Sequence, residues 1–290
     1  MATTVVLWAA AFVGIRAAGH DFGPGSLALG RLLVGSAALT VTVAVVAHRR
    51  RRVEPSLHRL PRVSHGRDLV LIALWGAAWM GGYNVTLNAA EQHLDAGTAA
   101  LLVNTAPLLI AVLAGFLLGE GFPRRLIIGI AIGFSGVALI GLSASDGRIS
   151  GVGIVLGLAA AVLYAGSATG QKLILPRVDA LTMTWLGCLA GTIACLPFAA
   201  SLVREVAAAP TSSILAVVYL GVFPTAVAFS TWGYALARTT AGRLSAATYA
   251  APALVVALSW LLLDEVPTVM ALTGGAVALV GVAVATLRRR

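Results

Sequence analysis

Charge is scarce in this chain. Of its 290 residues only 11% are Asp, Glu, Lys or Arg, whereas an ordinary soluble domain carries about 25%. With 59% apolar residues and a mean hydropathy of +0.94, the excess cannot be hidden in one soluble core. That excludes a disordered chain and argues against a water-soluble enzyme. Cysteine is nearly absent. Cys188 and Cys195 lie seven apart in one apolar run, on one helix face but too far apart along it to bridge. No disulfide scaffold and no metal-ligand spacing follow, so neither metal nor cofactor is expected. Acidic residues are missing from the middle of every apolar run, where a proton relay would be expected.

What remains is helical apolar sequence broken by turn residues and charge. A span needs roughly 20 apolar residues. Ten runs fit: 3–18, 25–47, 69–90, 96–118, 124–142, 151–172, 180–201, 213–236, 242–263 and 268–287. The alternating segments of a membrane β-barrel do not occur. The first run is short for a span, which points to a natural start upstream, and it carries neither the basic region nor the cleavage site of a signal peptide.

Basic residues outnumber acidic ones by twenty to eleven, and nineteen of the twenty are Arg. They gather in short gaps between spans rather than on a soluble face, so no nucleic-acid partner is expected. With the N-terminus inside, sixteen of the twenty fall on one side, among them Arg49 to Arg52, Arg124, Arg125 and Arg288 to Arg290. Positive loops face the cytoplasm. This predicts a multi-pass protein of the inner (cytoplasmic) membrane with both termini cytoplasmic.

The chain also matches itself. At an offset of 145, eighteen of the 67 positions from Gly76 to Leu142 are identical, including Gly97 with Gly242, Pro107 with Pro252 and Glu120 with Glu265. Earlier the offset is 156, where Trp8 and Gly14 meet Tyr164 and Gly170. The difference is absorbed by the basic loop of residues 48–67. Two copies, 1–147 and 148–290, each hold five spans. An odd number inserts the second copy upside down, as in many secondary transporters. The fold expected is therefore an all-α polytopic membrane protein with ten transmembrane helices in two inverted five-helix repeats.

Particular strings carry a family resemblance. LWAAAFVGIR opens the chain, NAAEQHLDAGTAALLVNTAPLLIAVLAGFLLGE follows, and TTAGRLSAATYAAPALVVALSWLLLDE answers it in the second half. Over essentially the whole chain this resembles the EamA family of the drug/metabolite transporter superfamily. The resemblance implies a ten-helix carrier with a central cavity, often an exporter of amino acids or other metabolites.

Polar and aromatic side chains inside spans mark candidate sites. Tyr83, Asn84 and Asn88 lie in the third run, with Glu91 near its outer end as a candidate coupling group. Asn104 precedes Pro107, and its repeat mate Tyr249 precedes Pro252, so the two occupy equivalent places in the two copies. These residues either line a pocket or hydrogen-bond between helices as glue. Trp8 pairs with Tyr164, Phe12 extends the wall by one turn, and Trp232 follows Pro224, which should kink its span. Rings of this kind grip a flat substrate or anchor a span at the interface. Glu120 and Glu265 are expected to meet the positive end of the helix that follows each. Arg16 and Arg31 either snorkel to the surface as structural anchors or gate the path or contact an anionic substrate, Arg31 being the candidate gate. Gly129 with Gly133, Gly153 with Gly157, and Gly187 with Gly191 permit close helix packing.

The function expected is a secondary transporter that moves an amino acid or similar small metabolite, in the export direction, by alternating access. The alternative is a non-transport membrane protein, a lipid-modifying enzyme or a scaffold. The enzyme would need clustered acids or histidines at one face, and the five histidines are scattered. Lack of a deep acid argues against a cation-selective multidrug site.

Overall fold

The computed structural model describes residues 2–53, 66–117, 124–145, 150–238, 248 and 250–286. Among these, all regular structure is helical. The spans are α1 (Ala2–Ala18), α2 (Pro24–Val53), α3 (Gly66–Glu91), α4 (residues 96–117), α5 (Arg124–Ser145), α6 (Gly151–Ile174), α7 (Ala180–Ala208), α8 (Thr211–Arg238), α9 (Ala250–Leu263) and α10 (Val269–Thr286). Of these α2, α3, α6, α7 and α8 are long and apolar enough to cross a membrane. Large apolar side chains such as Leu74, Phe116, Trp260 and Leu261 are exposed on the outside of the bundle, as lipid requires.

Helix starts follow the sequence. Asp95 caps α4 by accepting from the Thr98 amide at 2.8 Å, and Asp179 caps α7 through the Thr182 amide at 3.0 Å. In each case a short polar side chain satisfies an amide that has no partner inside the helix. α2 runs to Val53 rather than 47, because arginine is a good helix former and the run that follows His48 continues the helix. The start expected for α9 at 242 lies outside the described residues.

Among the described residues four spans are not continuous α-helix; α7 passes through a short 3-10 turn at Leu196–Phe198, which holds Pro197. α4 breaks into Ala96–Val103 and Ala106–Leu117, where one run was expected. Pro107 then sits in the first turn of the second piece, where its missing N–H costs nothing. The break is sealed by side chains: Asn104 Nδ2 donates to the Ala100 carbonyl at 3.0 Å and Thr105 Oγ1 to the Leu102 carbonyl at 2.7 Å. α8 widens to a π-helix over Gly221–Val227, around Pro224. Proline cannot donate to the carbonyl four residues back, and Thr225 Oγ1 donates to that Leu220 carbonyl instead, at 2.8 Å. α3 has a π-segment over Ala77–Tyr83 with no proline. There Asn84 Nδ2 donates to the Met80 carbonyl at 2.7 Å.

Each half packs mainly against the other. α1 lies against α8 and α9, while α6 lies against α3 and α4; α2 lies against α7 and α8, while α7 lies against α2 and α3. α5 and α10 pair closely. A Cβ on Gly136 would strike the Gly274 carbonyl, and one on Gly281 would strike Gly133 and the Gly129 carbonyl. Likewise Gly76 of α3 abuts the backbone of Gly187 in α7, and Gly221 of α8 abuts the Arg31 carbonyl in α2. Backbones this close leave no room for a side chain, which explains glycine at these crossings.

Candidate functional site

The break in α4 and the π-segment of α3 border one cavity of about 50 Å³, room for a few waters or part of a small molecule. α1 contributes Trp8, Phe12 and Ile15, α2 contributes Arg31, and α3 contributes Trp79, Tyr83, Asn84 and Leu87. α4 adds Val103 and Asn104, α6 adds Tyr164, α8 adds Phe229, and Thr248 together with Ala251 of α9 completes the lining from the second half. Both halves therefore supply walls.

Aromatic rings make most of the surface. Trp8 lies edge-on to Tyr164 with ring centres 6.2 Å apart, and 5.3 Å from Phe229. Trp79 stacks at a tilt on Tyr164 at 5.4 Å and meets Phe229 edge-on at 5.3 Å. Tyr83 approaches Tyr164 at 6.0 Å. The indole of Trp8 donates to the Pro224 carbonyl at 3.3 Å, so backbone opened by the proline is bound by the opposite half. Among the described residues the polar groups are few: Arg31, Asn84, Asn104, Thr248 and the hydroxyls of Tyr83 and Tyr164.

Of the candidates named from sequence, Trp8, Phe12, Tyr83, Asn84, Asn104, Tyr164 and Arg31 line this cavity. Asn88 does not: its Nδ2 donates to the Pro24 carbonyl at 3.0 Å, tying α3 to the start of α2. Trp232 packs behind Trp8 at 5.0 Å and gives its indole proton to Gln171 Oε1 at 3.0 Å. Tyr249 and Glu120 lie outside the described residues. Pro252 is buried in the first turn of α9, beside Ala251. Trp79, Phe229 and Thr248 were not singled out by the sequence.

Neither Arg16 nor Arg31 snorkels. Arg31 is 3% exposed and donates from Nε to Thr225 Oγ1 at 3.2 Å. Arg16 pairs with Glu265 at 2.8 Å and donates to the Glu91 carbonyl at 2.8 Å. Glu265 thus does not serve the start of α10, where Thr268 accepts from the Ala271 amide at 3.1 Å. A full ion pair outweighs a helix-end partial charge, so Arg16 takes the carboxylate. Glu91 is buried, with neither carboxylate oxygen hydrogen-bonded, and Arg16, Arg31 and Glu265 lie within electrostatic range.

The profile of the EamA-like transporter family matches residues 1–142 and 151–287. A probable terminal-alkyne amino-acid exporter of Streptantibioticus cattleyicolor is 38% identical over 96% of this chain and 89% of its own. An uncharacterized transporter of Bacillus subtilis, YdfC, is 34% identical over 95% of this chain and 86% of its own. A crystal structure of a further protein, 24% identical, superposes with a TM-score of 0.64 over 98% of this chain and 94% of that one, a likeness of fold. Matches along nearly the whole length to proteins named as transporters mark a multi-pass membrane transporter and not an enzyme. The chain belongs to the EamA-like transporter family, within the drug/metabolite transporter superfamily.

Proposed function

We propose that this protein is a secondary carrier that exports an amino acid or similar small metabolite across the inner membrane by alternating access. The observation that carries the reading is the aromatic cavity at the junction of the two halves, with walls from α1 to α4 on one side and from α6, α8 and α9 on the other. A carrier needs its site where relative motion of two bundles can expose it to either side.

Organisation as two inverted five-helix copies, 1–147 and 148–290, is supported by how mates meet. The α5–α10 crossing joins Gly136 to Gly274 and Gly281 to Gly129. The offset of 145 turns the first contact into the second, as a two-fold relation demands. The α3–α7 contact of Gly76 with Gly187 corresponds in the same way to the α8–α2 contact of Gly221 with Arg31. Ser36 and Thr192, mates at the offset of 156, share a hydrogen bond of 2.9 Å. The π-segments Ala77–Tyr83 and Gly221–Val227 stand at nearly matching places. The basic loops support cytoplasmic termini.

The amino-acid reading draws support from the name of the Streptantibioticus cattleyicolor relative and from the mixture of amides, rings and one cation in the wall. The test is efflux from cells preloaded with propargylglycine or with common amino acids, with and without expression of this protein. Faster efflux of at least one amino acid supports the reading. Unchanged efflux of all of them from cells with confirmed membrane expression contradicts it.

A further inference from the structure

Arg31 differs from every other polar group in the cavity wall because it carries a positive charge that forms no ion pair among the described residues. α2 takes it about 10 Å in from Pro24, and its side chain is buried. Its orientation is fixed on one edge. The Thr225 hydroxyl gives its single proton to the Leu220 carbonyl, so toward Arg31 it can only accept, and it accepts from Nε. The two Nη groups keep four N–H donors. Among the described residues no carboxylate lies within ion-pair distance of the guanidinium, and no acid lines the cavity. Tyr83, Cys188 and Glu91 are the charged or titratable groups in electrostatic range. Under the offset of 156 the mate of Arg31 is Gly187, so the second half brings no matching charge. A buried guanidinium without an ion-pair partner is costly, and its Nη edge is open to an anionic acceptor.

We infer that Arg31 is the anchor for a carboxylate on the transported molecule, taken end-on by the two Nη groups. A guanidinium whose Nε is already engaged still offers this two-toothed edge, and carboxylate fits it. One cation suits one negative charge. The rings of Trp8, Trp79, Tyr83 and Tyr164 leave an apolar, flat-walled space for the rest of the molecule. The inference rests on the carrier reading above and adds a substrate class: small monocarboxylates with an apolar or unsaturated body, zwitterionic amino acids included, in preference to amines, amides and cationic dyes.

Trp8 and Trp79 in the wall make intrinsic fluorescence a direct probe. Purified full-length protein is titrated with L-phenylalanine, phenylalaninamide and phenethylamine, and with L-norvaline, norvalinamide and pentanoate. The expected result is binding of at least one carboxylate, with its amide at least about tenfold weaker. Arg31→Gln should weaken carboxylate binding by roughly 10- to 100-fold and leave amide binding nearly unchanged. Arg31→Lys, which keeps the charge but not the fork, should fall between. If Arg31→Gln fails to elute as a folded species, the wild-type comparison of acid with amide and the Arg31→Lys titration decide the matter. Amides that bind as tightly as acids overturn the inference, and so does failure of every carboxylate to bind. Binding of pentanoate without either amino acid leaves Arg31 as the anchor and removes the amino-acid reading. Binding of carboxylates without transport in proteoliposomes removes the carrier reading alone.

Discussion

Arg16, at the end of α1, and Glu265, between α9 and α10, form a 2.8 Å ion pair that ties the first half of the chain to the second. The same guanidinium reaches the Glu91 carbonyl, so one side chain joins three segments at one end of the bundle. Each partner is about a quarter exposed, 24% and 25%, and the pair is worth on the order of 1 kcal/mol or less. Glu265→Gln should therefore lower thermal stability only slightly. If the halves rock, however, this contact must open in each cycle. Cysteines at 16 and 265, joined by a short bifunctional methanethiosulfonate, should stop transport, and reductant should restore it. Cys188 and Cys195 are buried and free and should not compete. Full activity in the cross-linked protein would contradict rocking at this end.

Helix crossings fix the glycines. Gly76→Ala places a methyl on the backbone of Gly187, and overpacking of this kind costs about 1–3 kcal/mol or more. Gly170→Ala meets nothing within 4 Å and should be neutral or slightly stabilising. Thermal unfolding in detergent, followed by size exclusion, should separate the two variants clearly. Equal melting temperatures would mean that the α3–α7 crossing is looser than its geometry.

Trp8 serves both packing and the cavity. Trp8→Phe keeps a ring against Tyr164 and Phe229 but leaves the Pro224 carbonyl without its donor. A stability loss of about 1 kcal/mol is expected, with transport reduced. Trp8→Ala also opens the wall, and its loss of about 3–5 kcal/mol should come with abolished transport. Transport and melting curves measured on the same preparation check both.

Glu91 is buried with both carboxylate oxygens unpartnered, and among the described residues no acid lines the cavity. For proton-coupled transport Glu91 is the group expected to carry the proton. In proteoliposomes Glu91→Gln should keep exchange of substrate down its gradient and lose any stimulation by a pH gradient. Uphill uptake that is driven by pH and survives Glu91→Gln would contradict the assignment.

The spans could be read from the sequence because lipid demands long apolar runs and turns demand polar breaks. Their inward faces could not. α1 and α9 are apolar nearly all round, so periodicity does not say which side meets the cavity. Asn84 and Asn104 were legible because a buried amide is conspicuous in a membrane span. Trp79 was not, since an aromatic in an apolar run looks like any other and its mate is Pro224. The π-segment at Pro224 had a visible cause, whereas the one at Ala77–Tyr83 had none. The partnership of Arg16 with Glu265 spans 249 residues, and local sequence carries no trace of it. Asn88 and Trp232 had the right chemistry for a pocket, but one helix turn or one layer of packing sent them elsewhere.

The central claim is that a cavity shared by the two halves carries a small amino acid or similar metabolite from one side of the membrane to the other. Counterflow tests it most directly. Purified protein in proteoliposomes loaded with unlabelled amino acid should transiently accumulate the same labelled compound from outside. Asn104→Ala and Asn84→Ala, folded by size exclusion, should lose most of that accumulation. Absence of counterflow by the wild type across the common amino acids and propargylglycine, or full counterflow by both variants, would contradict the account.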